Sequence, residues 1–340
     1  MSVEREVINT EAVVQDILNS IDREREREII ARRFGLFDRR ETLEQVGELL
    51  GITRERVRQL EKAVITKLRQ SGNELPGIAR VEELFAATLT ETGKTARITA
   101  ISAALTAENT RTDQSRIAFL TELCPNITAI NEDDSYFQAA AIDRDIAGVK
   151  KEVEDIIQAI KKAGEPVGAK DLAKLASMDD QQYATALAGI SKKLATLNGR
   201  WGLVKWPTVN PKNIRDKIYV ILSENGKHMH FNEIAESIKA SDFKRKDVTT
   251  QAIHNELIKD KRFVLIGRGI YALKEWGYSK GTVADIIADV LKDANEPLHR
   301  DEIVKRVLKS RFVKETTILL NLQSKPQFKR VAKATYELSE

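Results

Sequence analysis

The chain has 340 residues, of which 42% are hydrophobic, 31% charged and only 6% aromatic, with 17 glycines and 7 prolines. That balance excludes a disordered or low-complexity chain and favours helices over a β-sandwich or barrel. The net charge of +4 is an average over unlike parts: residues 1–75 sum to −1, 76–145 to −5, 146–210 to +3 and 211–340 to +7.

A basic C-terminal third points to a polyanion such as nucleic acid. No apolar run approaches the roughly 18–20 residues of a membrane span. The first residues carry acids and lack the apolar centre of a signal peptide. Cys124 is the single cysteine, which removes disulfide frameworks and cysteine-based zinc sites and fits a reducing compartment. A cytoplasmic, nucleoid-associated protein is expected, with no membrane partner.

In chain order, the first strong signal lies at 42–70. Thr42 and Gln45 form a capping-box pattern that starts a helix, and Gly51 suits the left-handed turn that ends it. Thr53 then caps a second helix reaching about residue 70. Gly47 is small where two helices would cross, and Val46, Leu50, Ile52, Val57 and Leu60 give both helices a shared apolar side. At about 100° per residue, Val57, Leu60, Val64 and Leu68 share one arc, while Arg54, Glu55, Arg58, Gln59 and Lys62 share the opposite one. Arg pairs with guanine, Gln with adenine, and Glu accepts from cytosine, so this face suits a DNA major groove. It equally suits a solvated helix with i,i+4 charge pairs.

The stretch 27–70, with RFGL at 33–36, TLEQVGELLGITRERVRQLE at 42–61 and KLR at 67–69, resembles region 4 of bacterial primary sigma factors. The resemblance implies a domain that reads the minus-35 promoter element and docks on the flap of the RNA polymerase β subunit. It places Arg54, Glu55 and Gln59 on base edges, and Arg56, Arg58 and Lys62 at phosphates or in support, with Arg58 able to serve either role; Thr53, the cap, is counted with them among the DNA-binding residues. After residue 75 nothing resembles the long aromatic-rich region of a complete primary sigma factor, so a self-sufficient housekeeping sigma factor is not expected.

Beyond residue 80 a pattern recurs. An amphipathic helix (149–163, 213–224, 282–293) is followed by a turn and a short extended stretch entering a second helix: GEPVGAKDLAKL at 164, GKHMHFNEIAESI at 226, NEPLHRDEIVKRV at 295 and, more weakly, GKTARITAISAAL at 93. A third helix follows, then a two-stranded turn with an apolar exit: SYFQAA at 135, RWGLVKW at 200, GIYALKEW at 269 and ATYELS at 334. The turn anchors lie 71, 62 and 69 residues apart and the exit anchors 66, 69 and 65, one period from two independent marks. Helix, strand, helix, helix, β-ribbon is the winged-helix plan.

The fold expected is therefore mainly α with small β-wings: a helix-turn-helix over 1–75, then tandem winged-helix units over 80–145 (degenerate), 148–207, 212–277 and 281–340. Joints are expected at 144–149, 207–212 and 277–281. HMHFNEIAESI at 228–238 with KRFVLIGRGIYALKEWG at 261–277 resembles a HARE-type helix-turn-helix, a domain also found in the RNA polymerase delta subunit; the fourth unit matches more loosely. The resemblance implies association with nucleic acid or transcription without naming a ligand.

In the third unit a helix over 247–259 would expose Thr249, Thr250, Gln251 and His254, with Lys244, Arg245 and Lys246 before it and Arg268 at the wing tip. These make a plausible groove-and-phosphate reader, or the solvated charges of a protein-binding module. The fourth unit offers Lys314, Thr316 and Thr317, then Lys329, Arg330 and Lys333. Glu132, Asp133 and Asp134 sit where the first unit's wing should turn and would repel phosphates, which suits a spacer or a protein contact.

His228, His230, His254 and His299 have no accompanying ligand cluster and read as structural. There is no phosphate-binding glycine loop or HExxH motif, so no enzyme, cofactor, metal or small-molecule substrate is expected. A DNA-binding transcription regulator that engages RNA polymerase is the first expectation. The alternatives are a polymerase adaptor without sequence-specific DNA contact, or an accessory protein of a DNA-modification or defence system.

Overall fold

A computed structural model describes residues 6–339 except 244, 246 and 279. The chain forms two compact units, Met1–Lys205 and Trp206–Glu340. In the first, α1 (Thr10–Asn19) and α2 (Glu24–Phe34) precede the pair α3 (Leu43–Leu50) and α4 (Arg54–Ser71). Thr42 caps α3 in a reciprocal capping box with Gln45, Gly51 takes a left-handed φ of 64°, and the Thr53 hydroxyl accepts from Arg56 N–H at 3.2 Å. Each stop and start is thus a local hydrogen-bonding event dictated by one side chain.

Two cores flank α2. Ile29, Val46 and Val57 make a small one inside the helix-turn-helix. The other runs without a break from Val14 and Ile17 of α1 through Val64 and Leu68 of α4 to Phe85, Ile101, Phe119 and Ala140, so it crosses residues 75–80.

The next elements are α5 (Ile78–Glu91), β1 (Thr95–Arg97), α6 (Ile98–Leu105), α7 (Arg111–Leu123), β2 (Thr128–Ile130) and β3 (Ala139–Ala141). Then come α8 (Ile146–Ala163), β4 (Val167–Gly168), α9 (Ala169–Leu175), α10 (Gln181–Ile190), β5 (Leu194–Leu197) and β6 (Arg200–Leu203).

The second unit repeats the order twice. The first copy is α11 (Ile214–Asn225), β7 (Met229–His230), α12 (Phe231–Ala240), α13 (Thr250–Lys259), β8 (Phe263–Gly267) and β9 (Ile270–Leu273). The second is α14 (Val283–Ala294), β10 (Leu298–His299), α15 (Arg300–Ser310), α16 (Glu315–Ser324), β11 (Phe328–Ala332) and β12 (Thr335–Leu338).

All four sheets have three antiparallel strands in one order: β1-β3-β2, β4-β6-β5, β7-β9-β8 and β10-β12-β11. The stub entering the second helix pairs with the last strand, which becomes central, and the strand after the third helix lies at an edge. In three copies the first residue of the second helix donates its N–H into the loop before or at the final strand: Ile98 to Gln138, Phe231 to Gly269 and Arg300 to Ala334. The repeating sequence anchors thus mark one repeating backbone circuit.

The first copy departs from expectation at its exit. SYFQAA joins the β2–β3 ribbon only through its last two residues, Ala139 and Ala140, and residues 131–138 form a long connection. Within it Tyr136 bridges to Ser191, and Phe137 N–H donates to the Ile190 carbonyl at 2.9 Å. The connection is spent on the neighbouring copy. Its acidic turn is paired there as well, Glu132 with Lys192 at 2.7 Å and Asp133 with Lys150 at 3.8 Å.

Candidate nucleic-acid interface

The helix α4 is fixed along its inner side. Val57, Val64 and Leu68 are buried, and Arg33 of α2 pairs with Glu61 at 2.7 Å while also donating to the Glu41 carbonyl. Arg69 near its C-terminal end pairs with Glu122 of α7 and donates Nε–H to the Glu122 carbonyl at 2.7 Å. Gly47 meets a different neighbour from the one its sequence position suggests. A Cβ there would lie 2.7 Å from the Ile52 carbonyl oxygen, so the glycine clears the backbone of the turn, not the side of the crossing helix.

With its inner arc so fixed, α4 turns Arg54, Glu55, Arg56, Arg58, Gln59 and Lys62 to solvent, and Thr53 is exposed at the cap. The outward arc read from the sequence is therefore the outward arc of the structure. Its groups are already engaged with one another. Arg58 donates to both Glu55 oxygens, at 2.9 and 2.7 Å, and Gln59 reaches the same carboxylate at 3.4 Å. Arg54 pairs with Glu44 of α3 at 2.9 Å, and Arg56 donates to Gln59 at 3.4 Å. The Arg58 guanidinium holds the Glu55 carboxyl below its ordinary range, and Glu55 in turn pushes Arg58 up. Near neutral pH Glu55 is therefore an acceptor only, the state suited to a cytosine amino group.

Farther on, Gln251 is exposed on the first turn of α13 and reaches Asn255 at 3.0 Å. The helix starts later than the sequence suggested: Thr249 is its exposed cap, the hydroxyl accepting from Ala252 N–H, and Thr250, the first helical residue, is half-buried. His254 is half-buried against Phe231, with centroids 4.9 Å apart, and belongs to the packing. Arg268 is exposed at the β8–β9 turn, beside Gly269 with its φ of 68°. Arg245 is exposed and left-handed, and its carbonyl accepts from the buried Lys217 ammonium at 2.7 Å. Lys244 and Lys246, also expected at this site, lie outside the described residues.

Two functional devices escaped the sequence reading. Lys217 of α11 is 4% exposed and anchors the loop carrying Arg245. His230 and His299 are helix N-caps, accepting at Nδ1 from Asn232 and Asp301 N–H. Their matching places in two copies were the available signal for that role.

Comparison with known proteins locates one family. A family model described as sigma-70, region 4, matches residues 23–70. Over 57 residues the chain is 47% identical to an RNA polymerase sigma factor SigA of Bacillus sp, covering 16% of this chain and 15% of that protein. Over 60 residues it is 47% identical to the sigma factor RpoD of Helicobacter pylori, covering 17% of this chain and 9% of that protein. The chain thus spans no more than 15% of the length of these relatives. Residues 23–70, which hold α2, α3 and all of α4 but Ser71, are thus similar to the sigma-70 region 4 family.

Proposed function

We propose that the protein is a DNA-binding transcription regulator that reads a promoter-like site through α4 and engages RNA polymerase. The carrying observation is the exposed Arg54–Glu55–Arg58–Gln59 face on a helix matched to sigma region 4. In this reading Arg54, Glu55 and Gln59 meet base edges, and Thr53, Arg56, Arg58 and Lys62 meet phosphates or support those that do. The flap of the polymerase β subunit is the partner for another face of the domain. The four later copies are winged-helix units that add DNA or polymerase contacts. The protein works without cofactor or metal, is not an enzyme, and acts in the bacterial cytoplasm at the nucleoid.

Genome-wide mapping of bound sites, with polymerase co-purified from the same cells, tests the whole reading. DNA affinity that falls steeply with salt, and sequence preference lost on Arg54→Ala or Gln59→Ala, supports it. Polymerase capture without measurable DNA binding overturns it in favour of an adaptor. One observation favours that second reading: the α4 face is largely satisfied by its own ion pairs, as a helix that stays in solvent would be.

A further inference from the structure

The joint expected at 277–281 lies between the third copy, α11 to β9, and the fourth, α14 to β12. More than the connecting chain joins its two sides. Trp276 and Tyr278 fold back over Val264, Ile266 and Ala272 of the third copy. From the fourth copy, the turn between α15 and α16 reaches the same place. The Phe312 ring of that turn lies against the His228 imidazole, with centroids 4.5 Å apart, and Tyr278 meets the same imidazole edge-on at 6.4 Å. Arg311, next to it, donates from Nη1 to the Leu265 carbonyl of β8 at 3.3 Å.

The backbone shows the same close approach. Gly267 ends β8, and a Cβ there would stand 3.2 Å from the Phe312 carbonyl oxygen, so a side chain would crowd the turn. Burial pulls the half-buried Arg311 guanidinium below its ordinary range, and Asp285 on the first turn of α14 partly offsets that. A cation withdrawn from water needs partners. Arg311 finds one in each copy, the Leu265 carbonyl in the third and the Asp285 carboxylate in the fourth. Phe312 stands outside the apolar cluster of its own copy, among the described residues, and remains half in solvent. Its ring contact is with the neighbour, not with the core beneath it.

We infer that Arg311 and Phe312 latch the third and fourth copies into one rigid body, so that 277–281 is not a hinge and α13 and α16 are presented in a fixed relation. A partner touching both copies then meets a surface whose parts have no freedom left to lose against each other. The inference is independent of what that partner is, and of α4 as a reader of DNA.

The test uses the full chain with nitroxide labels on Lys239→Cys in α12 and Lys305→Cys in α15, two exposed sites. Double electron–electron resonance reads the spread of distances between them. Cys124 is buried, and burial pushes its thiol well above the ordinary range, so labelling goes to the introduced cysteines. The labelled chain should give one narrow distance. An insert of about eight Gly and Ser residues between Lys280 and Gly281 would give an unlatched joint an r.m.s. reach of roughly 15–20 Å. With the latch in place, the distance should stay narrow despite the insert. Adding Arg311→Ala and Phe312→Ala to the inserted chain should spread it over that range. His228→Ala, made in the third copy and leaving the α15–α16 turn untouched, should broaden it as well, so the outcome does not hang on one variant's folding. Far-UV circular dichroism, unchanged throughout, would show each copy intact. A broad distribution in the chain without the insert, or one produced by the insert alone, overturns the inference. So does a narrow distance that survives the insert together with both sets of substitutions, because something other than this turn then holds the copies.

Discussion

Glu55 accepts from both Arg58 and Gln59, so one carboxylate restrains two of the groups proposed to meet DNA. Removing its charge releases Arg58 to any phosphate. Glu55→Gln should therefore raise affinity for arbitrary duplexes, steepen the salt slope by up to about 1, and narrow the gap between preferred and random sequences. Anisotropy with two duplexes at several salts reads all three effects. Conformation at single residues is as decisive. Gly269 and Ala334 hold the same turn place with φ of 68° and 57°, but only the first is a glycine. An alanine at 269 would bring its Cβ 2.5 Å from His230 Nε2 as well as strain the backbone. Ala334→Gly should stabilise the last copy by up to about 1 kcal/mol, since the left-handed cost for a non-glycine exceeds the extra entropy lost. Gly269→Ala should destabilise its copy by about 2 kcal/mol or more. Thermal unfolding of the two variants, moving in opposite directions, checks the pair.

Among elements, the joint between α11 and β8 depends on one cation. Arg262 donates to Asp260 at 2.8 Å and to Asp216 of α11 at 3.2 Å, with both carboxylates mostly buried. Its guanidinium holds the Asp260 carboxyl below the usual 3.8. A depressed carboxylate contributes stability that is complete above its unfolded value and lost as the pH falls through its folded one. Arg262→Gln should therefore lower stability near neutral pH by about 1–2 kcal/mol, and the decline of stability on acidification below pH 3.8 should become shallower. Urea titrations of both proteins across that range test the sign. The start and stop of α3 and α4 were legible in the sequence because Thr42, Gln45, Gly51 and Thr53 act within a few residues of themselves. The late start of α13 was less so, because Thr249 looks the same as a groove residue and as a cap until its partner, Ala252 N–H, is located. Occlusion of α10 was not legible at all: it arises from Glu91, Arg97 and Phe137, which lie far away in the chain.

At the scale of the molecule, the core that continues from Val14 to Ala140 makes the helix-turn-helix part of a larger folded body. A fragment ending at residue 75 would strip Val64 and Leu68 of α4 of their neighbours on α7, whereas one ending at 205 keeps the unit entire. The shorter fragment should show partial helicity and low protection from hydrogen exchange, and the longer one a single cooperative transition. The composition of the region, with its charge-dense α2 and α4, reads as a free-standing module. Only the assignment of Ile30, Leu36 and Leu75 to one cluster with Phe119 reveals the merger.

That merger also bears on the thermodynamics of recognition. If α4 reads DNA as proposed, a helix held at its far end by Arg69 and Glu122, and along its inner side by a core that reaches α7, has little conformational freedom left to surrender when it meets a duplex. The ordering penalty of many DNA-binding segments is already met on folding. The heat-capacity change on binding should then reflect only the surface the two partners cover, with no share from chain that folds on contact.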